Sequence, residues 1–206
     1  MLIKNRILVL FAHPSQHRSE VNLPLLKTCA AMEQVTVVDL YAEYPGFCID
    51  IEREQQRLRE HDVIVFMFPL YWYSTPAILK EWQDLVLEYG FAYGHDGNAL
   101  KDKLLLCAIT AGGSEKAYQC DGYNHFSIRE LLRPIEQTAT LCHMTYLPPF
   151  ALFGARTAVE EGRVEAHAHH LGCALNALAN GELDLEQACA ARVLNDCIPD
   201  EAGEQT

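Results

Sequence analysis

The sequence D-V-I-V-F-M-F-P-L-Y-W-Y-S-T-P-A-I-L-K-E-W-Q-D, at residues 62–84, decides which fold we expect. Its first part, residues 63–68, is an unbroken apolar run rich in β-branched and aromatic residues, which is typical of a strand covered on both faces. Its second part has apolar residues at helical spacing, preceded by Thr75 as the expected N-cap and Pro76 as the expected first helical residue. The stretch therefore predicts a buried strand, a turn and an amphipathic helix.

The turn in this stretch carries three consecutive aromatic residues, Tyr71, Trp72 and Tyr73. Three neighbouring rings in one turn cannot all point into the same core. In open α/β sheets, ligands bind beyond the carboxyl ends of the strands, where this turn is expected. The turn therefore indicates a site for a flat ligand; the alternatives are a well-packed loop and an aromatic patch that contacts a partner protein.

Strands and helices alternate along the rest of the chain. Further apolar runs predict strands at residues 6–12, 35–40, 103–110 and 144–153, the last interrupted by Pro148 and Pro149. Helical patterns occur at residues 22–32, at 51–60, from 76 onward with Trp82 and Tyr89 in the core, at 127–140 where Pro134 is expected to kink or shorten the helix, and at 160–180 before Gly181. The alternation predicts a three-layer α/β domain with a five-stranded parallel sheet at residues 1–181. Residues 182–206 form an acidic C-terminal extension with one short helix expected near residues 185–195.

The composition narrows the classes of function. The chain has 206 residues and a formal net charge of −12 at pH 7, which argues against nucleic-acid partners and against a polybasic membrane anchor. No apolar run reaches transmembrane length, and residues 1–5 are too short for a signal peptide, so we expect a cytoplasmic protein. The 8 cysteines form no Cys-x-x-Cys pair, and we expect them to be reduced and mostly buried.

Two other loops are expected at the same edge of the sheet as the aromatic turn. Residues 13–22 place a histidine, hydroxyls and an amide at the start of a helix, where unpaired backbone amides favour an anion such as phosphate. Residues 110–114 place two glycines and a hydroxyl where a backbone comes close to a flat group. The alternatives are a plain helix cap with a solvated histidine for the first loop and a tight turn for the second.

Together the three loops describe a pocket for flavin mononucleotide (FMN): a phosphate site, aromatic rings and a glycine-lined surface. The loop after the first predicted strand contains no glycine, so the G-x-G-x-x-G fingerprint of a dinucleotide-binding fold is absent. A Walker-type phosphate loop is absent as well. A metal site is not expected, because His167 and His170 share a helix face without a cysteine or carboxylate at matching spacing.

At these residues the sequence resembles the flavodoxin-like NAD(P)H:quinone oxidoreductases. The matching motifs are A-H-P at residues 12–14, F-P-L-Y-W-Y-S-T-P-A-I-L-K-E-W at 68–82, F-A-Y-G at 91–94 and T-A-G-G-S at 110–114. Within that family it is most similar to the ancillary subunits of glutathione-regulated potassium efflux systems. The motifs of that closer match are L-Y-A-E-Y-P-G-F-C-I-D-I-E-R-E-Q at 40–55, G-F-A-Y-G-H-D-G-N-A-L at 90–100 and L-P-P-F-A at 147–151.

The resemblance implies a flavodoxin-like three-layer sandwich and a set of site residues. The cofactor-binding residues it implies are His13, Ser19, Glu20, Val21 and Asn22 at the FMN phosphate, Pro69, Leu70, Tyr71, Trp72 and Tyr73 around the isoalloxazine ring, and Thr110, Ala111, Gly112 and Gly113 at the pyrimidine end of the ring. It also implies a catalytic tyrosine, Tyr118, and a histidine. The histidine's position is Asn124 here with His125 next to it, so we assign Tyr118 and His125 and leave open which of residues 124 and 125 takes the histidine role.

The activity that the resemblance implies is FMN-dependent NAD(P)H:quinone oxidoreduction by a ping-pong hydride transfer, with either NADH or NADPH as co-substrate. A homodimer is expected, because the family buries aromatic segments such as residues 41–47 and 150–153 in a dimer interface. Two alternative functions stay open. One is a regulatory ancillary subunit of a potassium efflux transporter, located on the cytoplasmic face of the inner membrane. The other is a flavodoxin-like binding module without turnover.

Overall fold

A parallel sheet forms the centre of the protein. The computed structural model describes residues 4–15, 17 and 19–199. The strands are β1 (Ile7–Phe11), β2 (Val35–Asp39), β3 (Val63–Pro69), β4 (Leu104–Thr110), β5 (Thr145–Tyr146) and β6 (Phe150–Leu152). Their order is β2-β1-β3-β4-β5, with β6 pairing with β4, and every pairing is parallel. The expected five-stranded parallel sheet is therefore confirmed, and it carries a short sixth strand.

The sixth strand arises because the predicted last strand is divided in two. Strand β5 pairs with the beginning of β4 at Leu104 and Leu105, and β6 pairs with its end at residues 108–110. Between them lie Pro148 and Pro149, which have no backbone N–H to donate to a neighbouring strand. The ladder therefore stops at the prolines and resumes after them.

Helices cover both faces of the sheet. They are α1 (Asn22–Ala30), α2 (Leu40–Glu43), α3 (Ile51–Glu60), α4 (Ala77–Val86), α5 (Ile128–Leu131), α6 (Arg133–Leu141), α7 (Val164–Asn180) and α8 (Leu185–Ala190). Ile7 and Val9 of β1 pack in one apolar cluster with residues of α1 and α7. Leu8 and Leu10 pack in the other cluster, with residues of α3, α4 and α6. The three-layer architecture predicted from the sequence is confirmed.

Several helix ends differ from the sequence predictions. Pro76 is the N-cap of α4 rather than its first residue, and no side chain caps this helix. The predicted helix at 127–140 is two helices, since α5 ends at Leu131 and α6 begins at Arg133 with Pro134 in its first turn. The final long helix begins at Val164, not at residue 160, and ends as expected at Gly181 in a left-handed conformation.

Some side chains expected in the core or at an interface lie elsewhere. Tyr89 follows the end of α4 and is 69% exposed, so the prediction that it belongs to the core is wrong, whereas Trp82 is fully buried. Phe150 is only 1% exposed and Tyr44 is buried within the monomer, whereas Phe47 is 37% exposed. Because the rings of Phe150 and Tyr44 are already buried within one chain, segments 41–47 and 150–153 offer fewer exposed aromatic residues for a homodimer interface than expected.

None of the 8 cysteines, all of which lie in the described part of the chain, forms a disulfide, but fewer are buried than expected. Cys29, Cys107 and Cys142 are buried, whereas Cys48 and Cys120 are exposed and the other three are partly buried. The expectation that most of them are buried is wrong, because two lie on exposed loops and the three in the C-terminal region only partly pack against an apolar cluster. Within the described residues, no helix is both long enough and apolar enough to cross a membrane.

A buried carboxylate joins the helices on one face of the sheet. Glu54 of α3 is 0% exposed and accepts hydrogen bonds from the Tyr44 hydroxyl (2.7 Å) and from Trp82 Nε1 of α4 (2.9 Å). It also forms an ion pair with Arg57. Because each of these donors meets the carboxylate inside the protein, its charge is compensated and the position of α4 is defined.

The first part of the C-terminal extension packs along the edge of the sheet. The Asn195 side chain accepts a hydrogen bond from the Ala151 N–H (2.8 Å) and donates one to the Ala151 carbonyl (3.3 Å). Arg129 Nη1 donates to the carbonyls of Cys189 (2.9 Å) and Ala191 (3.3 Å). The expected short helix is present as α8, followed by a 3-10 helix at Leu194–Cys197. Residues 200–206 of the predicted extension lie outside the described residues.

Candidate functional site

A cleft of about 900 Å³ opens at the carboxyl ends of β1, β3 and β4. The three loops singled out in the sequence converge on it, because these strands are parallel neighbours whose carboxyl ends share one edge of the sheet. Apart from Ala111, every predicted cofactor-binding residue lines the cleft, and so does Tyr118. Ala111 is fully buried behind the surface of the cleft, where its N–H donates to the Leu152 carbonyl (2.9 Å).

The start of α1 forms one end of the cleft. No side chain caps this helix at its N-cap residue, Val21. The Ser19 hydroxyl accepts hydrogen bonds from the backbone N–H of Asn22 (2.9 Å) and from its side-chain Nδ2 (3.0 Å). Asn22 Oδ1 in turn accepts a hydrogen bond from the Thr110 hydroxyl (3.2 Å). The positive end of the α1 dipole is thus held against the loop that follows β4, which suits an anionic group.

His13 is neutral in this arrangement. Its Nδ1 accepts a hydrogen bond from the Ser15 N–H (3.1 Å), so the ring proton lies on Nε2. Burial lowers the pKa of His13 below its ordinary value. The ring lies edge-on to Tyr71, with 6.1 Å between the ring centroids. His13 therefore offers the cleft a neutral N–H donor and not a positive charge.

The aromatic turn presents its rings to solvent through an unusual backbone. Trp72 and Tyr73 both have left-handed backbone conformations, with φ of 50° and 63°, which non-glycine residues seldom adopt. The turn is closed by a hydrogen bond from the Ser74 N–H to the Tyr71 carbonyl (3.0 Å). As a result Trp72 is 93% exposed. A strained turn that leaves flat rings exposed to solvent is consistent with a ligand that stacks on them.

The two glycines of the loop after β4 leave room for side chains and for a ligand. A Cβ atom at Gly112 would lie 3.2 Å from Arg156 Nε, and one at Gly113 would lie 3.2 Å from a ring carbon of Tyr118. Both distances are shorter than ordinary van der Waals contact. Glycine at these positions therefore allows Arg156 and Tyr118 to lie against the backbone and keeps that backbone accessible.

Tyr118 and Asn124 lie in the cleft, whereas His125 does not line it. Burial raises the pKa of Tyr118, and nearby Tyr73 raises it further, so the phenol keeps its proton. Asn124 Oδ1 accepts a hydrogen bond from the Tyr73 hydroxyl (3.2 Å). His125 has a left-handed backbone (φ 61°) and lines an adjoining aromatic recess of about 550 Å³. Of residues 124 and 125, only Asn124 therefore lies in the cleft, beside Tyr73.

Sequence reasoning missed one side of the cleft. The segment after β6 contributes Ala155, Arg156, Val159 and Glu160 to its surface. The signal for it was available in principle, since β6 runs parallel to β4 and its carboxyl end lies at the same sheet edge. The prolines that divide the last strand concealed where that end would fall. Ser15, Ala117 and Tyr123 also line the cleft without having been assigned.

The paired histidines of α7 lie apart from the cleft. His167 and His170 share a helix face, as the sequence indicated, and their rings pack against Phe150 with centroid distances of 4.7 and 5.4 Å. Within the described residues, no group of three histidine, cysteine or carboxylate side chains is arranged to hold a metal ion.

A family model described as "Flavodoxin-like fold" matches residues 5–172 of the chain. The chain belongs to this flavodoxin-like family. The flavodoxin-like protein is 51% identical over 167 residues to the glutathione-regulated potassium-efflux system ancillary protein KefG of Serratia proteamaculans. That match covers 81% of this chain and 91% of KefG.

Solved structures resemble the flavodoxin-like protein as well. The general stress protein 14 of Treponema denticola, in complex with FMN, is 38% identical with a TM-score of 0.79, over 84% of this chain and 99% of that one. An NADPH-quinone reductase from P. pentosaceus is 32% identical with a TM-score of 0.73, over 84% of this chain and 97% of that one. Relatives of the chain therefore include an FMN-bound protein, a protein named as a quinone reductase and a potassium-efflux ancillary protein.

Proposed function

We propose that this flavodoxin-like protein is an FMN-dependent NAD(P)H:quinone oxidoreductase. The observation that supports it most is the cleft itself, where a helix N-terminus, exposed aromatic rings and two glycines meet at one sheet edge. The FMN-bound general stress protein 14 shares this fold at 38% identity. The NADPH-quinone reductase at 32% identity supports the reaction class.

The residues of the cleft fit FMN from end to end. Residues 19–22 at the start of α1 suit its phosphate, and the neutral His13 can donate a hydrogen bond nearby. The rings of Trp72 and Tyr73 suit the isoalloxazine ring, and the open backbone at Gly112 and Gly113 suits its pyrimidine end. A cleft of about 900 Å³ also leaves space for a second flat molecule beside the first.

FMN held by these residues would supply two-electron redox chemistry, with NAD(P)H as the hydride donor and a quinone, which takes up two protons, as the acceptor. The protein's contribution is to hold the reactants and to supply hydrogen bonds. Tyr118 keeps its proton at neutral pH, so its hydroxyl is a donor inside the cleft. Trp72 offers an exposed ring face on which a nicotinamide or a quinone can stack in turn.

The absorption spectrum of the purified protein tests this proposal. We expect a yellow flavin spectrum, or one that appears after loading with FMN, and we expect it to bleach when NADPH or NADH is added without air. Re-oxidation by a quinone completes the cycle. A protein that cannot be loaded with FMN would refute the proposal, and a flavin that does not bleach would favour a binding module without turnover.

Removing the aromatic rings tests the pocket directly. In the double variant Trp72→Ala and Tyr73→Ala we expect FMN affinity to fall at least 100-fold, since stacking on two rings is worth about 3 kcal/mol in all. The fold should survive, because both side chains are exposed. Tyr89→Ala is the matched control, as Tyr89 is also exposed but does not line the cleft. Equal flavin content in the double variant and the control would exclude this cleft as the FMN site.

A second candidate function is that of an ancillary subunit of a potassium efflux transporter, which would place the protein on the cytoplasmic face of the inner membrane. The observation that favours it is the 51% identity to KefG. The two functions are compatible in one protein. Co-purification of the tagged protein with the transporter, and potassium efflux that is lost when the protein is deleted and restored by re-expression, would test this candidate. Unchanged efflux in the deletion strain would contradict it.

A further inference from the structure

The segment after β6 is held by backbone hydrogen bonds against the loop that contains Gly112 and Gly113, called here the glycine loop. The Gly154 N–H donates to the Gly113 carbonyl (2.7 Å), and the Ala155 N–H donates to the Ala111 carbonyl (2.9 Å). Arg163 holds the same segment from the other side, by donating to the carbonyls of residues 153 (3.0 Å) and 154 (3.1 Å). The backbone of residue 156 is therefore held close to the loop formed by Gly112 and Gly113.

From this backbone the Arg156 side chain extends across Gly112. Its Nε, Cγ and Cδ atoms would lie 3.2, 3.7 and 3.8 Å from a Cβ atom built at Gly112. The positive charge of Arg156 also acts on the Tyr118 phenol, whose pKa it lowers against the larger raising effect of burial. The guanidinium thus lies beside Gly112 and close enough to Tyr118 for its charge to act on the phenol.

Arg156 lines the cleft and is itself exposed to solvent. Among the described residues that line the cleft, it alone carries a permanent positive charge, because His13 is neutral. Glu20 and Glu160 also line the cleft, yet in the described part of the chain Arg156 forms neither an ion pair nor a hydrogen bond with them or with any other residue. Water can solvate such an exposed cation, so what makes Arg156 available to an anionic group of a ligand is its position beside Gly112 in the cleft.

We propose that Arg156 stabilises the negative charge of reduced flavin at the pyrimidine end of the ring. This inference rests on the proposed function, because it assigns a role within the same FMN site. Reduction adds negative charge to the N1–C2=O region of the ring, and a fixed cation beside that region favours the reduced form over the oxidised form. Asn124 cannot supply this charge, since its side chain is neutral and bonded to Tyr73.

The reduction potential of the bound flavin tests the role of Arg156. In Arg156→Gln we expect the preference for reduced over oxidised flavin to fall about tenfold, which lowers the potential of a two-electron couple by about 30 mV. Arg156→Lys keeps a positive charge and should retain most of the potential. Arg133→Gln is the matched control, because it removes the same charge from an exposed residue of α6 outside the cleft.

The measurement is an anaerobic titration of the FMN-loaded proteins against a redox dye, together with titration of each apoprotein with oxidised FMN. A potential in Arg156→Gln equal to that of the parent overturns the inference, even if FMN affinity falls, because the residue would then bind both forms equally. A parent protein that does not bind FMN overturns the proposed function and this inference together. Bound FMN with an unchanged potential in Arg156→Gln overturns only this inference.

Discussion

At the scale of single residues, the cleft combines groups whose chemistry is set by their surroundings. Burial lowers the pKa of His13 and raises the pKa of Tyr118, which favours the neutral imidazole and the protonated phenol, and both forms can donate a hydrogen bond. Trp72 and Tyr73 are exposed by a strained backbone that a glycine would adopt more easily. A strained backbone next to groups with shifted pKa values is typical of a binding site.

Tyr118→Phe removes one of these donors and little else. We expect the rate of flavin reduction by NAD(P)H to fall about tenfold, the usual effect of losing one hydrogen bond of about 1.4 kcal/mol in the transition state. FMN affinity should stay within about twofold, because the ring and its packing against Phe153 remain. Stopped-flow reduction and fluorescence titration measure the two quantities. Tyr123→Phe, at an exposed ring on the same cleft, is the control, and equal rates in both variants would remove Tyr118 from the mechanism.

At the scale of elements, the sequence identified strands more reliably than the ends of helices. The strands at β1, β3 and β4 are continuous apolar runs, and burial on both faces leaves few alternatives for such runs. The end of α4 depends instead on tertiary contacts, which is why Tyr89 was assigned to a core that it does not reach. Helices α5 and α6 share one apolar pattern, but Pro134 decides where it divides.

Glu54 is the element-scale contact whose loss should cost most. Glu54→Ala leaves the Tyr44 hydroxyl and the Trp82 N–H without their buried acceptor, and leaves Arg57 without its closest partner. We expect the free energy of unfolding to fall by about 3 kcal/mol. Glu52→Ala, at an exposed position of the same helix, should cost about 0.5 kcal/mol or less. Urea denaturation of both variants measures the difference, and comparable losses would show that the buried carboxylate does not stabilise α3 against α4.

At the scale of the whole molecule, the fold and most of the site were predictable because they depend on local patterns. Parallel strands bring their carboxyl ends to one edge, so three loops could be placed together without knowing any distance. Arg156 could not be found in this way, since its position depends on where β6 pairs with β4. Which of residues 124 and 125 lines the cleft depends on the left-handed backbone of His125, and no sequence pattern predicts that conformation.

Folding stability as a function of pH is a second property of the whole molecule. Burial lowers the pKa values of His13, His61 and His167, the last to about 4. Below their ordinary pKa the unfolded chain binds protons that the folded protein excludes, so the free energy of unfolding must fall as the pH falls from about 6.5. The contribution of each histidine to stability is fully present above that pH. It is lost as the pH falls toward the pKa that the histidine has in the folded protein.

The variant His167→Phe should make this pH dependence weaker. A phenyl ring keeps the contact with Phe150 but cannot take up a proton, so we expect about 2 kcal/mol less loss of stability between pH 6.5 and pH 4 than in the parent. The control is His169→Gln, because His169 is an exposed residue of the same helix. Urea denaturation at several pH values measures the slopes. If the free energy of unfolding depended on pH equally in His167→Phe and the parent, His167 would not be a source of the pH dependence.

The contact between Asn195 and Ala151 has a consequence beyond the monomer. An open outer strand is a template on which a strand of another molecule can add, and such addition leads to fibres and aggregates. Here one amide side chain takes up both the N–H and the carbonyl that Ala151 would offer to such a strand. Removal of residues 182–206 would take away Asn195 and leave the N–H and the carbonyl of Ala151 open to pairing with another chain. Fusions and shortened versions of the protein should therefore keep residues 182–199 intact.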